Sequence, residues 1–252
     1  MLREERRALI LKYINDNRVA TSEELSDYFK VTGETIRQDL NYLSEKNRIL
    51  RTFGGAMIKD DYDPSLEQRT VINLEDKQKI ARKALTFIND GDLIVMDAGS
   101  TLVEVARRIK ENSEVVIITN SLEILNQLAK ISGITAIATG GKLRNKSKSF
   151  QGKNAENAIT SYNIQKAFIS AEAVGLTEGI MDTNEAEASV KRCMIETAKE
   201  ITILADHSKF LKMAHITVCP LEKIDRVITD ARTDINIINE LKNQGIEVII
   251  AD

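Results

Sequence analysis

The sequence predicts an α/β protein in two unequal parts: a small helical head ending in a β-ribbon, and a larger body on a mainly parallel sheet. Three observations carry that prediction. Residues 19–58 hold two short capped helices followed by two β-prone pieces around Gly54-Gly55. Residues 59–73 open with a polar run and hold one of the two prolines, which reads as a linker. Residues 74–252 alternate short apolar runs with amphipathic helices.

In the head, Arg3 to Asn15 reads as a first helix with Leu9, Ile10 and Ile14 apolar. Thr21 can cap the second helix, and Glu24 three residues on closes a capping box. Leu25 and Phe29, four apart, share one face of it. The chain breaks at Val31-Thr32, and Thr32 can cap a third helix whose inward stripe is Ile36, Leu40 and Leu43. That spacing turns Thr35, Arg37, Gln38 and Asn41 outward. Side chains of these types pair with base edges and phosphates in a major groove, although two amphipathic helices about a turn also serve as plain packing units. Ile49-Leu50-Arg51-Thr52 and Ala56-Met57-Ile58 flank a Phe53-Gly54-Gly55 turn, giving a wing from which Arg51, Thr52 and Lys46 reach phosphates. The reading is a winged helix-turn-helix over residues 1–58, with the helix-turn-helix at about 20–39. Its expected DNA-contacting residues are Thr32, Thr35, Arg37, Gln38, Asn41, Lys46, Arg51 and Thr52.

In the body, a helix is expected from Leu74 to Asn89, then a strand at Leu93–Met96 and a helix over Leu102–Ile109. A strand at Val115–Ile118, a helix over Leu122–Ile131 and a strand at Thr135–Ala138 follow. Further strands are expected at Ala167–Ile169, Ile201–Leu204, Arg226–Thr229 and Glu247–Ile250, with helices near Glu185–Lys199 and Ile235–Asn243. Short, fully apolar strands alternating with helices imply a mainly parallel sheet covered on both faces.

Composition bounds the function. Cys193 and Cys219 are far apart and lie in no metal-ligand or redox spacing, and His207 and His215 are the only histidines, so neither a disulfide framework nor a metal site is expected. No apolar run approaches the length of a membrane span, and the charged start MLREERRAL is unlike a signal peptide, so a cytoplasmic protein with no membrane partner is expected. Net charge is −3 overall, but residues 1–59 carry +2 and the remainder −5. DNA affinity follows phosphates neutralised locally, so a near-neutral head implies pairing of heads in a homo-oligomer, dimer or tetramer.

Ligands of such sheets bind outside the carboxyl ends of the strands. This chain places small polar residues there repeatedly: Asp97-Ala98-Gly99-Ser100-Thr101, then Thr119-Asn120-Ser121, then Thr139-Gly140-Gly141 followed by Lys142 and Arg144, then Asp206-His207-Ser208-Lys209. Gly99 lets backbone approach a ligand, and Ser100 and Thr101 sit beside free helix-start N–H groups, a combination suited to phosphate. Taken singly, each set is a plain helix cap or turn. Four on one sheet edge point to a phosphorylated small molecule, with Asp97 and Asp206 on sugar hydroxyls and Lys209 on phosphate. No cofactor is expected.

Arg3 through Ile58 resembles the winged head of the DeoR-type bacterial transcriptional regulators. The resemblance rests on Thr35-Ile36-Arg37, Asp39-Leu40, the helix continuing to Leu43, Leu50-Arg51 and Gly54-Gly55-Ala56. The chain departs from it at Gln38, where most members carry a second Arg, and at Phe53, often His. Residues from about Leu74 to Asp252 resemble the effector domain of the same family, which shares its fold with ribose-5-phosphate isomerases and coenzyme A transferases. The matching stretches are Lys77 to Ala81, Asp97-x-Gly99-Ser100-Thr101, Thr119-Asn120-Ser121, Gly140-Gly141, Thr183 to Lys191, Asp206-x-Ser208-Lys209-Phe210 and Ile228-Thr229-Asp230. Departures fall at Gln165 and at Ser170-Ala171-Glu172-Ala173, where members are glycine-rich. The resemblance implies a repressor of carbohydrate-metabolism genes released by a phosphorylated sugar, with double-stranded operator DNA as partner. The implied effector residues are Asp97, Gly99, Ser100, Thr101, Thr119, Asn120, Ser121, Gly140, Gly141, Arg144, Glu185, Asp206 and Lys209, in an effector-binding and oligomerisation domain over 74–252. The alternative is a sugar-phosphate isomerase with an accessory head, using Asp97, Glu185 or Glu187, and Lys209 as acid, base and electrostatic stabiliser.

Overall fold

The computed structural model describes residues 2–17, 19–46, 48–52, 54–58, 64–111, 113–210 and 212–252. They form two compact units, Met1–Asp63 and Pro64–Asp252.

The first unit holds α1 (Arg3–Asn17), β1 (Val19–Thr21), α2 (Ser22–Phe29), α3 (Gly33–Glu45), β2 (Ile49–Thr52) and β3 (Gly55–Ile58). Thr21 closes its capping box with Glu24, as the spacing predicts. Lys30 ends α2 in a left-handed conformation, φ 53°, which turns the chain into α3. Ile10, Ile14, Leu25, Ile36, Leu40 and Leu43 pack into one core with Ile49 and Ala56. Leu9 does not join it and is 42% exposed, because it lies about 100° round the helix from Ile10. The ribbon gains a strand that its sequence did not announce. β1 pairs antiparallel with β3, Ala20 opposite Ala56, so the wing is a three-stranded sheet in the order β1-β3-β2. Phe53 of the expected turn lies outside the described residues.

The expected linker also changes. Residues 59–63 lie outside the described residues, but α4 (Leu66–Val71) is a helix of the second unit, with Ser65 and Gln68 in a capping box and Leu66 buried. After it run α5 (Leu74–Leu85), β4 (Leu93–Met96), α6 (Ser100–Ala106), β5 (Val116–Thr119), α7 (Leu122–Leu128), β6 (Thr135–Ala138), β7 (Lys142–Arg144), β8 (Ser149–Gln151) and α8 (Lys153–Thr160). The remainder is β9 (Lys166–Ser170), β10 (Ala173–Gly175), β11 (Gly179–Asp182), α9 (Glu185–Thr197), β12 (Glu200–Leu204), β13 (Ile216–Cys219), β14 (Arg226–Asp230), α10 (Ile235–Asn243) and β15 (Glu247–Ala251). Three helices are shorter or shifted: α5 stops at Leu85, α6 starts at Ser100 rather than Leu102, and α7 stops at Leu128.

Seven strands form one parallel sheet in the order β15-β14-β12-β9-β4-β5-β6. Alternate residues face opposite sides, the strand period of two. Val95, Ile118, Ile169, Ile203 and Val227 enter the core that contains α8 and α9 residues, whereas Ile94, Ile117, Phe168 and Ile228 enter the core with α5 and α6. Coverage on both faces fails at the edge strand β6, where Thr135, Ala136 and Ala138 are exposed. The polar hairpin β7–β8, α8 and a second antiparallel sheet, β10-β11-β13, were not among the expected elements. Strand order reverses between β4 and β9, the position at which such sheets open a crevice.

Candidate functional site

In the first unit, α3 carries the candidate interface. Thr32 caps it, accepting from the Thr35 N–H at 3.3 Å, and the two threonine hydroxyls lie 2.9 Å apart. Their polar atoms thus fix the start of the helix, and Thr35 is only partly exposed. Arg37, Gln38, Asn41 and Lys46 are exposed along the outer face, with Glu34 3.5 Å from the Arg37 guanidinium. On the wing, Arg51 is exposed and Thr52 half-buried, opposite Ala56 and Gly55.

What orients that face is a group whose role the sequence did not reveal. Asp39 lies on the inner side of α3, fully buried, and accepts from Arg6 Nε at 2.6 Å and Arg7 Nε at 2.9 Å. The Arg7 guanidinium also lies 3.6 Å from the centre of the Tyr42 ring. Burial depresses the Arg7 pKa, but Asp39 and Glu4 outweigh it and the net shift is upward. Asp39 therefore ties α3 to α1. A carboxylate within the apolar stripe, four residues from Leu43, was the available signal.

In the second unit, the parallel strands bring the four polar sets to one edge, at the carboxyl ends of β12, β4, β5 and β6, with β9 between the first two. Three clusters stand there. At the junction of β4 and β9, the Asp97 carboxylate accepts from the Ser170 N–H at 3.2 Å and from its hydroxyl, and Lys191 Nζ stands 3.5 Å away. Lys191 is buried and also donates to Asp182 at 2.7 Å. Burial lowers its pKa, yet Asp182 and Asp97 outweigh that and raise it, while Lys191 pulls the Asp182 carboxyl down against its own burial. Gly99 serves a packing need: its φ is an ordinary −122°, and a Cβ there would collide with Ser170. Ser100 and Thr101 are buried at the start of α6.

The second cluster surrounds the end of β5. Thr119 is fully buried and its hydroxyl donates to the Met96 carbonyl at 2.7 Å, so in this structure it braces β5 against β4. Ser121 caps α7 through Ile124 N–H. Asn120 donates to the Phe150 carbonyl at 3.2 Å, while its buried Oδ1 accepts no hydrogen bond among the described residues. Gly140 and Gly141 take φ of +65° and +109° and turn the chain into β7. Arg144 stands 3.2 Å from Ser147 Oγ and 3.5 Å from Glu187. Glu187 accepts from Ser149 Oγ at 2.8 Å, whereas Glu185 points outward to Arg192. Of the two carboxylates at the start of α9, Glu187 is therefore the inward one, and the structure does not bring Glu185 together with the other expected residues.

The third cluster follows β12. Asp206 accepts from Ser208 Oγ at 2.6 Å and from Asn73 Nδ2 at 2.9 Å. Lys209 reaches Glu172 at 3.3 Å. Burial works to raise the Asp206 pKa, but Lys209, Ser208, Lys77 and Asn73 bring it down to about 2. Lys77 was missed as a site residue: only 3% exposed, it donates to the Ile72 carbonyl at 2.7 Å and to the Arg69 carbonyl. Burial lowers its pKa to about 8 against the pull of Asp206, with Lys209 lowering it further. Its signal was a lysine three residues before Ile80, on the buried side of α5. The clusters communicate electrostatically, because Glu172 senses Asp182, and Lys191 senses Glu187. Nearby, Asp76, His207 and Asp230 could share an ion, but the Arg232 guanidinium bonds Asp76 and stands 3.7 Å from Asp230. No helix among the described residues is long and apolar enough to cross a membrane.

Known proteins resemble both units. Residues 6–61 match the DeoR-like helix-turn-helix domain, and residues 72–231 match the DeoR C terminal sensor domain. A putative aga operon transcriptional repressor of Escherichia coli O157:H7 is 31% identical over 98% of this chain and 93% of its own. The glycerol-3-phosphate regulon repressor of Escherichia coli K12 is 28% identical over 95% of each. Among solved structures, a D-ribose-5-phosphate isomerase aligns over 54% of each chain at 18% identity and a TM-score of 0.39, a likeness that says nothing of activity.

Proposed function

The chain belongs to the DeoR family of DNA-binding transcriptional regulators, and from that premise we propose that it is a repressor of carbohydrate-metabolism genes whose body senses a phosphorylated sugar. The observation that carries the sensing half is the third cluster: a buried ammonium, Lys77, beside Lys209 and Asp206 at the carboxyl edge of the sheet. Two lysines with one low-pKa carboxylate give a phosphate its counter-charge and a hydroxyl its acceptor. The Asn120 Oδ1, without a hydrogen-bond partner among the described residues, supports a second ligand contact, since an acceptor calls for a hydroxyl or an amine rather than a phosphate oxygen.

The mechanism is a population shift. Effector favours one body conformation, and paired heads reach successive major-groove faces roughly 34–36 Å apart only in the other. The body acts without turnover: Glu185, one base an isomerase would use, is exposed and held by Arg192. The carboxylates that do face the edge are held by lysines or serine hydroxyls.

The test pairs a gel shift with calorimetry. Arg37→Ala lowers operator affinity roughly tenfold and leaves sugar-phosphate binding intact; Lys209→Met blunts the effector response and leaves operator binding intact. Loss of both functions in either variant contradicts the division of labour. Turnover of pentose or hexose phosphates by the purified protein contradicts the regulatory reading.

A further inference from the structure

Glu172, in the turn between β9 and β10, lies against the third cluster. Its N–H donates to the Met181 carbonyl at 3.3 Å, which fixes the backbone between β9 and β10. Its carboxylate stands 3.3 Å from Lys209 Nζ and 3.9 Å from Lys212 Nζ. The carboxylate and Lys209 are 18% and 16% exposed, so water screens the pair only in part. Burial favours the neutral acid, but Lys209, Lys212 and Arg69 outweigh it and hold Glu172 ionised. The ammonium of Lys77 is committed to the carbonyls of Arg69 and Ile72. Lys209, unlike Lys77, thus has a side-chain anion to exchange, and it is the nearer of the two lysines beside Glu172.

We propose that Glu172 is a tethered competitor anion, which occupies Lys209 until a phosphate displaces it and thereby selects phosphate esters over sugar acids. This rests on the reading of the edge as a phosphate site. An entering ligand must outbid a carboxylate already attached to the protein and therefore present at high effective concentration. A phosphomonoester carries about −1.5 to −2 charges near neutral pH and three acceptor oxygens, so it wins that exchange. A ligand carboxylate brings the same single charge as Glu172 and gains nothing by replacing it. Glu172 acts through Lys209 and is a positioning residue for specificity.

The experiment is calorimetric titration of the full-length protein and its Glu172→Gln and Glu172→Asp variants at pH 7.5, with inorganic phosphate and gluconate as probes. The wild type takes up phosphate and not gluconate. Glu172→Gln, which keeps the shape but not the charge, binds phosphate roughly fivefold to tenfold tighter and acquires measurable gluconate binding. Glu172→Asp retains the charge on a shorter stem and falls between the two; it carries the test if the glutamine variant fails to fold. Phosphate affinity unchanged or weakened in Glu172→Gln overturns the competitor role while leaving the phosphate site standing. Absence of phosphate binding in all three proteins overturns the site itself, and the competitor with it.

Discussion

Asp39 and Lys77 are the two residues whose environment says most about what they do. Asp39 is held by two guanidinium groups inside the head, so its substitution removes the carboxylate they share and leaves Arg7 with Glu4 as its one carboxylate among the described residues. We expect Asp39→Asn to destabilise the head by about 2 kcal/mol, measured as an earlier first transition in urea, and to weaken operator binding because α3 loses its anchor on α1. Retention of full operator affinity would show that packing alone orients the helix. Lys77 is a question of protons. Its folded pKa of about 8 lies below the ordinary value, so between about pH 8 and 10.5 the unfolded chain binds more protons than the folded one. Stability of the effector-free body therefore rises with pH across that window and is insensitive to this group below it. A bound phosphate favours the charged ammonium, so effector binding at pH 8.5 takes up a fraction of a proton. Calorimetry in buffers of different ionisation enthalpy measures it; equal heats in all buffers would remove Lys77 from the site.

At the scale of elements, the head was legible where a side chain bonds its own neighbourhood. The Thr21–Glu24 box, the Thr32 cap and the Ile36-Leu40-Leu43 stripe all stand where spacing puts them. Thr21→Ala should cost about 1 kcal/mol of stability, read as a lower melting temperature of the head, and an unshifted transition would mean that the β1–β3 pairing holds α2 unaided. Elements that owe their existence to distant partners were not legible. β1 is three residues long and is a strand only because β3 lies beside it, and β7–β8 is polar, with its Ser149 bridged to Ser121. The same division runs through the site. The edge was readable because caps and glycines mark the ends of strands, whereas the roles of Lys191, Asp182, Glu172 and Lys77 depend on charges brought together by folding.

At the scale of the molecule, the charge of the head bears on assembly. Arg37, Lys46 and Arg51 are the cations of the candidate interface, and Glu34 stands beside the first. Three phosphate contacts correspond to a slope of about −2.7 in log affinity against log salt, and two paired heads to about −5. We expect a slope near −5, together with sedimentation that shows no monomer at the concentrations where operator is bound. A slope near −2.7 from a monomer would return the head to single-copy binding.

The reversal of strand order between β4 and β9 reaches into the life of the newly made chain. Asp97 and Ser170 meet across 73 positions of sequence, with everything from α6 to α8 lying between them. We expect joining β4 to β9 to be a late, high-contact-order step, because the closure entropy of so long a loop is met before its contacts form. Until that step is complete the crevice has only one wall. If the effector binds at this edge as proposed, a regulator that is still folding cannot yet respond to it, and its first response comes only once the central sheet has closed.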